Sequence, residues 1–132
     1  MHRGSCLCGT VHYEITGEIG PVSFCHCSRC RKANGTAFLA AAEVDPAGFK
    51  IVSGSDSLGD FESSPGVHRI FCRQCGSPLI SRRPGPPEVV RVRIGTLDSY
   101  LKIKPQAHIF YADRAEWFEF EDDVAKYAER PH

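Results

Sequence analysis

The chain has 132 residues, and its 16 basic and 16 acidic side chains give a formal net charge of zero. This length fits one domain, which we expect to span residues 1–132. A neutral chain is a poor candidate for general nucleic-acid or membrane-surface binding, and no apolar run approaches the roughly 18 residues of a membrane helix. Together with an N-terminal sequence, MHRGSCLCGT, that has no apolar segment, this predicts a cytoplasmic protein.

Short β-rich segments alternate with Gly/Pro turns along the chain, which predicts a mainly β fold with little helix. In chain order, the predicted strands are Thr10–Thr16, Val22–Cys25, Ala37–Val44, Phe49–Ser53, Leu58–Ser63, Val67–Phe71, Pro78–Arg82, Val89–Ile94, Ala107–Tyr111 and Trp117–Phe120. The segment Asp122–Glu129 is predicted to be helical because acidic residues open it. We expect two small sheets that a structural metal ion holds together.

Two late segments carry polar residues in apolar surroundings. Arg91 and Arg93 alternate with apolar residues, which places them on one face of a strand, and this face is predicted to be solvated. His108 lies in an apolar context, so we expect an internal, hydrogen-bonded histidine.

Seven cysteines occur in three clusters, with the patterns C-x-C, C-x-C-x-x-C and C-x-x-C. An odd number of cysteines would leave one thiol outside a disulfide framework, and a reducing compartment disfavours disulfides. Close pairs of thiolates are the usual ligands of tetrahedral zinc. The clustering therefore predicts metal binding.

The two outer clusters supply four thiols, enough to close one zinc coordination shell: Cys6, Cys8, Cys72 and Cys75. A glycine follows each pair, Gly9 and Gly76, and permits the sharp turn that brings both sulfurs to one side. We predict a structural zinc site here. An iron centre of the rubredoxin type is the alternative.

The middle cluster, formed by Cys25, Cys27 and Cys30, leaves one position of a tetrahedral metal open. Cys25 and Cys27 project to the same side of an extended segment, and a turn through Ser28-Arg29 returns Cys30 to the same metal. Such a site binds a thiol or polarises a carbonyl group. The alternative is a second structural zinc whose fourth ligand is a histidine, with His12, His26, His68 and His108 as candidates.

Three basic residues, Arg29, Arg31 and Lys32, lie beside the middle cluster in the sequence. Their charges would offset the thiolates or bind substrate anions, and a solvated surface is the alternative. We therefore regard them as candidate substrate-binding residues.

Taken together, three motifs resemble the glutathione-dependent formaldehyde-activating enzyme family, which includes the centromere protein V type domains. The motifs are G-S-C-L-C-G at 4–9, C-H-C-S-R-C-R-K at 25–32 and F-C-R-Q-C-G-S-P-L at 71–79. Further similarity covers Gly95-Thr96-Leu97-Asp98 and the closing Ala107-His108-Ile109, Arg114 and Trp117.

This resemblance implies a zinc-clamped, β-tent-like fold with two zinc ions per chain. The structural zinc would bind Cys6, Cys8, Cys72 and Cys75, and the catalytic zinc would bind Cys25, Cys27 and Cys30. The implied activity is that of a carbon–sulfur lyase that adds glutathione to formaldehyde and gives S-(hydroxymethyl)glutathione. The implied partners are a small thiol and a small aldehyde. A zinc-scaffold binding module, or a thiol carrier without turnover, is the alternative function.

Overall fold

The structure, a computed structural model, describes residues 1–131. These residues form eleven β-strands and one α-helix, α1 (Ser28–Asn34), joined by short loops and 3-10 turns. The strands are β1 (His2–Ser5), β2 (His12–Ile15), β3 (Ile19–Cys25), β4 (Leu39–Val44), β5 (Phe49–Ser53), β6 (Leu58–Ser64), β7 (Val67–Cys72), β8 (Pro78–Arg83), β9 (Val89–Arg93), β10 (Ala107–Ile109) and β11 (Ala125–Lys126).

The strands form two sheets of unequal size. Strands β1, β2 and β5 form a three-stranded antiparallel sheet in the order β1-β2-β5. The other eight form a sheet in the order β11-β10-β3-β4-β9-β8-β7-β6. Its pairs are antiparallel except at one end, where β10 runs parallel to both β3 and β11. The mainly β fold with little helix is thus confirmed, although the second sheet is larger than expected.

The main hydrophobic core joins the three-stranded sheet to one face of the eight-stranded sheet. Tyr13 and Ile15 of β2 belong to it, together with Val44 of β4 and Val92 of β9. Because side chains alternate along a strand, neighbouring residues such as Ala41 point to the opposite face. That opposite face carries a second, smaller apolar cluster, which includes the thiols of the middle cysteine motif.

The C-terminal part of the chain differs from the sequence-based expectation. The predicted strand Trp117–Phe120 is a turn followed by a loop, and the predicted helix Asp122–Glu129 instead contains β11. The backbone amide of Tyr127 donates to the carbonyl of His108, so this segment gains its hydrogen bonds from β10. Nonlocal pairing therefore outweighs the local helical pattern.

Among residues 1–131, no helix is both long enough and apolar enough to cross a lipid bilayer.

Candidate metal centres and their surroundings

The structure brings the four outer cysteines together although they lie at opposite parts of the sequence. The sulfurs of Cys6, Cys8, Cys72 and Cys75 lie within 4.8 Å of one another. Cys8 Sγ is 3.6 Å from Cys6 Sγ and 3.9 Å from Cys72 Sγ. Four sulfurs at about 2.3 Å from a zinc ion form a tetrahedron with edges of about 3.8 Å. The donor type, number and spacing of this cluster therefore fit zinc.

Both cysteine pairs sit in tight turns that depend on glycine. The amide of Gly9 donates to the carbonyl of Cys6, and the amide of Gly76 donates to the carbonyl of Cys72. Both glycines adopt left-handed backbone angles, with φ of 80° at Gly9 and 81° at Gly76. This conformation strains most residues with a Cβ, which is why glycine follows each pair.

Backbone amides and hydroxyl groups hold the sulfurs of this cluster in place. The amide of Val11 donates to Cys6 Sγ at 3.2 Å, and the amide of Gln74 donates to Cys72 Sγ at 3.4 Å. A hydrogen bond with the Ser77 hydroxyl lowers the pKa of Cys75 to about 5, whereas burial raises the pKa of Cys72 to about 11. Such partners orient thiolates and stabilise the charged form that binds a metal.

The middle cysteines also converge, at the junction of β3 and α1. Cys25 ends β3, Cys27 is the N-cap residue of α1, and Cys30 is the one buried residue of this helix. Their sulfurs lie close together, with Cys30 Sγ 2.9 Å from Cys27 Sγ and 3.2 Å from Cys25 Sγ. The helix replaces the turn expected through Ser28-Arg29. Cys27 Sγ accepts a hydrogen bond from the amide of Cys30 and thereby caps the helix.

This cluster fits a metal in donor type, but its sulfurs lie closer together than in a zinc tetrahedron. The distances between these sulfurs must increase by about 0.6–0.9 Å to match the edges of a zinc tetrahedron. Hydrogen bonds with Cys25 and Cys30 hold the pKa of Cys27 well below its usual range, whereas hydrogen bonds with Cys27 and Cys30 raise the pKa of Cys25. A metal bound here would displace the protons of the other two thiols, so acid should weaken its binding.

Within residues 1–131, the group of metal-ligating side chains at this second cluster contains three cysteines and no histidine. His26, next to two of these cysteines in the sequence, is buried and packs against the rings of Phe38, Tyr111 and Phe120. Its Nε2 lies 2.8 Å from His108 Nδ1, and His108 Nε2 lies 2.9 Å from a carboxylate oxygen of Asp122. His108 is thus the internal histidine that the sequence indicates, and this network, rather than the cysteine cluster, engages ring nitrogens of both imidazoles.

Two arginines that the sequence analysis did not assign to the site lie near the three-cysteine cluster. Arg69 Nη2, from β7, is 3.7 Å from Cys30 Sγ. Arg93, from β9, is 5% exposed, and its charge interacts with the thiols of Cys25 and Cys30. Arg91 and Arg93 share a strand face as expected, but the solvated setting predicted for Arg93 is wrong. The alternating pattern predicts which strand face the two arginines share, but it does not predict whether other parts of the chain cover that face.

The basic residues predicted to bind substrate lie on α1. Arg29 and Lys32 are exposed, and Arg31 Nε donates to the backbone carbonyl of His26 at 3.4 Å. Their role in binding substrate anions stays a prediction.

The sequence matches the glutathione-dependent formaldehyde-activating enzyme family over residues 1–113. The chain belongs to this family. Both cysteine clusters lie within the matched region, so the resemblance seen in the motifs is confirmed.

Individual relatives match over shorter segments. An uncharacterized lyase from Schizosaccharomyces pombe is 33% identical over 78 residues, which is 59% of this chain and 55% of that protein. An Aspergillus flavus protein, provisionally named after the family, is 28% identical over 58% of this chain and 41% of its own length. The alignments thus span about half the length of these curated relatives.

One solved structure gives the fold independently. A crystal structure of a Rhodobacter sphaeroides protein superposes with a TM-score of 0.64 at 25% identity. The match covers 76% of this chain and 91% of that one. A similar fold therefore also occurs in an experimentally determined structure.

Proposed function

We propose that this protein is a zinc-dependent enzyme of the carbon–sulfur lyase type. Its substrates would be a small thiol, with glutathione as the first candidate, and formaldehyde or another small aldehyde. The thiol sulfur attacks the aldehyde carbon and a C–S bond forms. The carbonyl π electrons move to oxygen, and the proton released by the thiol ends on that oxygen. The product is an S-(hydroxymethyl) thiol.

One observation carries the proposal: a three-thiol cluster, with Cys25 and Cys30 buried and Cys27 half-buried, that has no fourth ligand among the described side chains. Zinc held by three thiolates would lower the pKa of a bound substrate thiol and keep it as the reactive thiolate. We assign Cys25, Cys27 and Cys30 to this catalytic ion, and Cys6, Cys8, Cys72 and Cys75 to a structural ion. The family description and the lyase name of one relative support the reaction class.

The surroundings of the three-cysteine cluster support a reaction shielded from water. Cys25 and Cys30 pack against Leu39, Ala107 and Ile109, all of which are buried. Such a wall strengthens electrostatic interactions at the sulfurs. The seven cysteines are all unpaired thiols in the structure, which fits our proposal of a reducing cytoplasmic setting.

A pair of serine variants tests the division of labour between the two clusters. Cys27→Ser keeps a good N-cap residue for α1 and removes one ligand of the catalytic ion. We expect it to stay folded, bind one zinc ion per chain instead of two, and lose adduct formation. Cys72→Ser removes a fully buried ligand of the structural ion, and we expect it to unfold.

The measurements are zinc content, circular dichroism and the rate of hydroxymethyl adduct formation above the uncatalysed rate. A Cys27→Ser protein that unfolds as badly as Cys72→Ser would show that the second ion is also structural. A wild-type protein that binds one equivalent of thiol without accelerating the reaction would be a carrier.

A further inference from the structure

Arg93 is a buried cation without a carboxylate partner. The residue is 5% exposed, and within residues 1–131 its guanidinium makes one side-chain hydrogen bond, from Nη1 to Ser81 Oγ at 3.4 Å. Among residues 1–131, no Asp or Glu carboxylate lies within ion-pair distance of it. A guanidinium has five N–H donors, and leaving such a group buried without an anion is costly. Within these residues the Arg93 guanidinium therefore has the thiols of Cys25 and Cys30 nearby, but no carboxylate pairs with it.

A second arginine reinforces this positive charge. Arg69 donates from Nε to Ser63 Oγ at 2.8 Å, and its Nη2 reaches Cys30 Sγ. Burial, followed by the charge of Arg69, lowers the pKa of Arg93 to about 10. By contrast Arg91, two residues earlier on the same face, has its own carboxylate, with Nη2 at 3.9 Å from Glu43 Oε2.

Arg93 also lines a pocket of about 290 Å³ beside the cysteine cluster. The other walls come from the end of α1, the start of β4 and the turn after β9, with Asn34, Leu39 and Thr96 among them. Arg93 is the single charged residue among the lining residues. Leu39 pairs with Cys25 between β4 and β3, so the pocket and the cluster share a wall.

Resting on the thiol chemistry proposed above, we propose that Arg93, assisted by Arg69, binds a carboxylate of the substrate. The site would then select thiols that also carry a carboxylate over neutral thiols. A guanidinium presents paired N–H donors in the geometry of a carboxylate, which gives both orientation and affinity. Both arginines would be specificity-determining residues and would leave the three-cysteine cluster to hold the metal.

Three small probes separate the two parts of this site. 3-Mercaptopropionate carries a thiol and a carboxylate, 3-(methylthio)propionate keeps the carboxylate and blocks the sulfur, and 2-mercaptoethanol keeps the thiol without charge. Binding to the zinc-loaded protein is measured by NMR titration. We expect Arg93→Gln to weaken the binding of both carboxylate probes about tenfold or more, and to leave the affinity for 2-mercaptoethanol within about twofold of the wild-type value.

Two further variants complete the experiment. Arg69→Gln changes a half-buried residue and serves as the test if Arg93→Gln does not fold; it should weaken the same two probes. Arg91→Gln removes a neighbouring charge that already has a partner, and we expect it to bind all three probes as the wild type does. Zinc content is measured for each variant, to exclude metal loss.

The outcomes are distinct for the two proposals. The carboxylate site is wrong if the carboxylate probes do not bind the wild type, or if Arg93→Gln binds them unchanged. It is also wrong if Arg93→Gln weakens the binding of 2-mercaptoethanol equally, or if Arg91→Gln weakens the binding of the carboxylate probes as much as Arg93→Gln does. If 3-(methylthio)propionate binds as tightly as 3-mercaptopropionate and 2-mercaptoethanol does not bind, thiol chemistry at the cluster fails while the carboxylate site stands.

Discussion

Tyr13 shows how one residue joins the two sheets. It is fully buried in β2, and its hydroxyl lies 2.6 Å from Thr96 Oγ1. The Thr96 hydroxyl donates its own hydrogen to the carbonyl of Arg93 at 2.8 Å, so it must accept from Tyr13. The three-stranded sheet is thereby tied to the end of β9, the strand that carries the proposed carboxylate-binding arginine.

This burial predicts a loss of stability in alkali. Burial raises the pKa of Tyr13 from 10 to about 12. The folded state therefore favours the neutral phenol, and this contribution is complete below pH 10 and is lost as the pH rises towards 12. The full loss is on the order of 2–3 kcal/mol. Urea unfolding between these pH values should show a steeper decline for the wild type than for Tyr13→Phe.

The phenylalanine variant is the matched control, since it keeps the aromatic ring and loses the ionisable group. Other groups that titrate in this range are common to both proteins, so the difference isolates Tyr13. Parallel declines in both proteins would show that the phenol does not titrate with a raised pKa.

Two short local structures position cysteines of the clusters, namely the turn after Cys72 and helix α1. The turn after Cys72 needs the left-handed angle at Gly76, and α1 needs the cap at Cys27. The two residues that flank α1 are the available sequence signal for this helix, because Cys27 and Gly35 occupy the N-cap and C-cap positions of a seven-residue segment. The pattern is too short and too polar for periodicity to reveal a helix.

An alanine at Gly76 tests the turn. An added Cβ would meet no atom within 4 Å, so the cost comes from the backbone angle alone. We expect Gly76→Ala to lower the free energy of unfolding by about 1–2 kcal/mol. Gly95→Ala is the control, because that position also has open space and no left-handed angle; it should change stability by less than about 0.5 kcal/mol. If urea unfolding showed the same loss of stability for Gly76→Ala and Gly95→Ala, the turn would not require a left-handed backbone angle at Gly76.

At the scale of the whole molecule, the four-cysteine cluster connects the sheets. Cys6 and Cys8 lie between β1 and β2 of the small sheet, whereas Cys72 and Cys75 lie at the turn between β7 and β8 of the large one. Cys8 and Cys72 are 64 positions apart. A metal here is a long-range crosslink, and closing such a loop is worth on the order of 4 kcal/mol in the unfolded chain.

Chelation should therefore occur in two stages. A moderate chelator should first remove the ion held by three ligands, with the circular dichroism spectrum unchanged. Removal of the second ion should then lower the free energy of unfolding by about 4 kcal/mol or more. Zinc release and circular dichroism, followed in one titration, would contradict this order if structure were lost with the first equivalent.

The sequence by itself determined the cysteine clusters and most strands of this protein. Thiol clustering and the glycine after each outer pair are local chemistry, and nearly all the predicted strands appear within a few residues of their expected bounds. Only the tertiary structure decided which faces are covered. In a flat sheet β7 would lie about 19 Å from β3, so Arg69 reaches Cys30 only because α1 and the sheet close around this face. Strand order and curvature depend on nonlocal pairing, and an alternating pattern specifies a face without saying what packs on it.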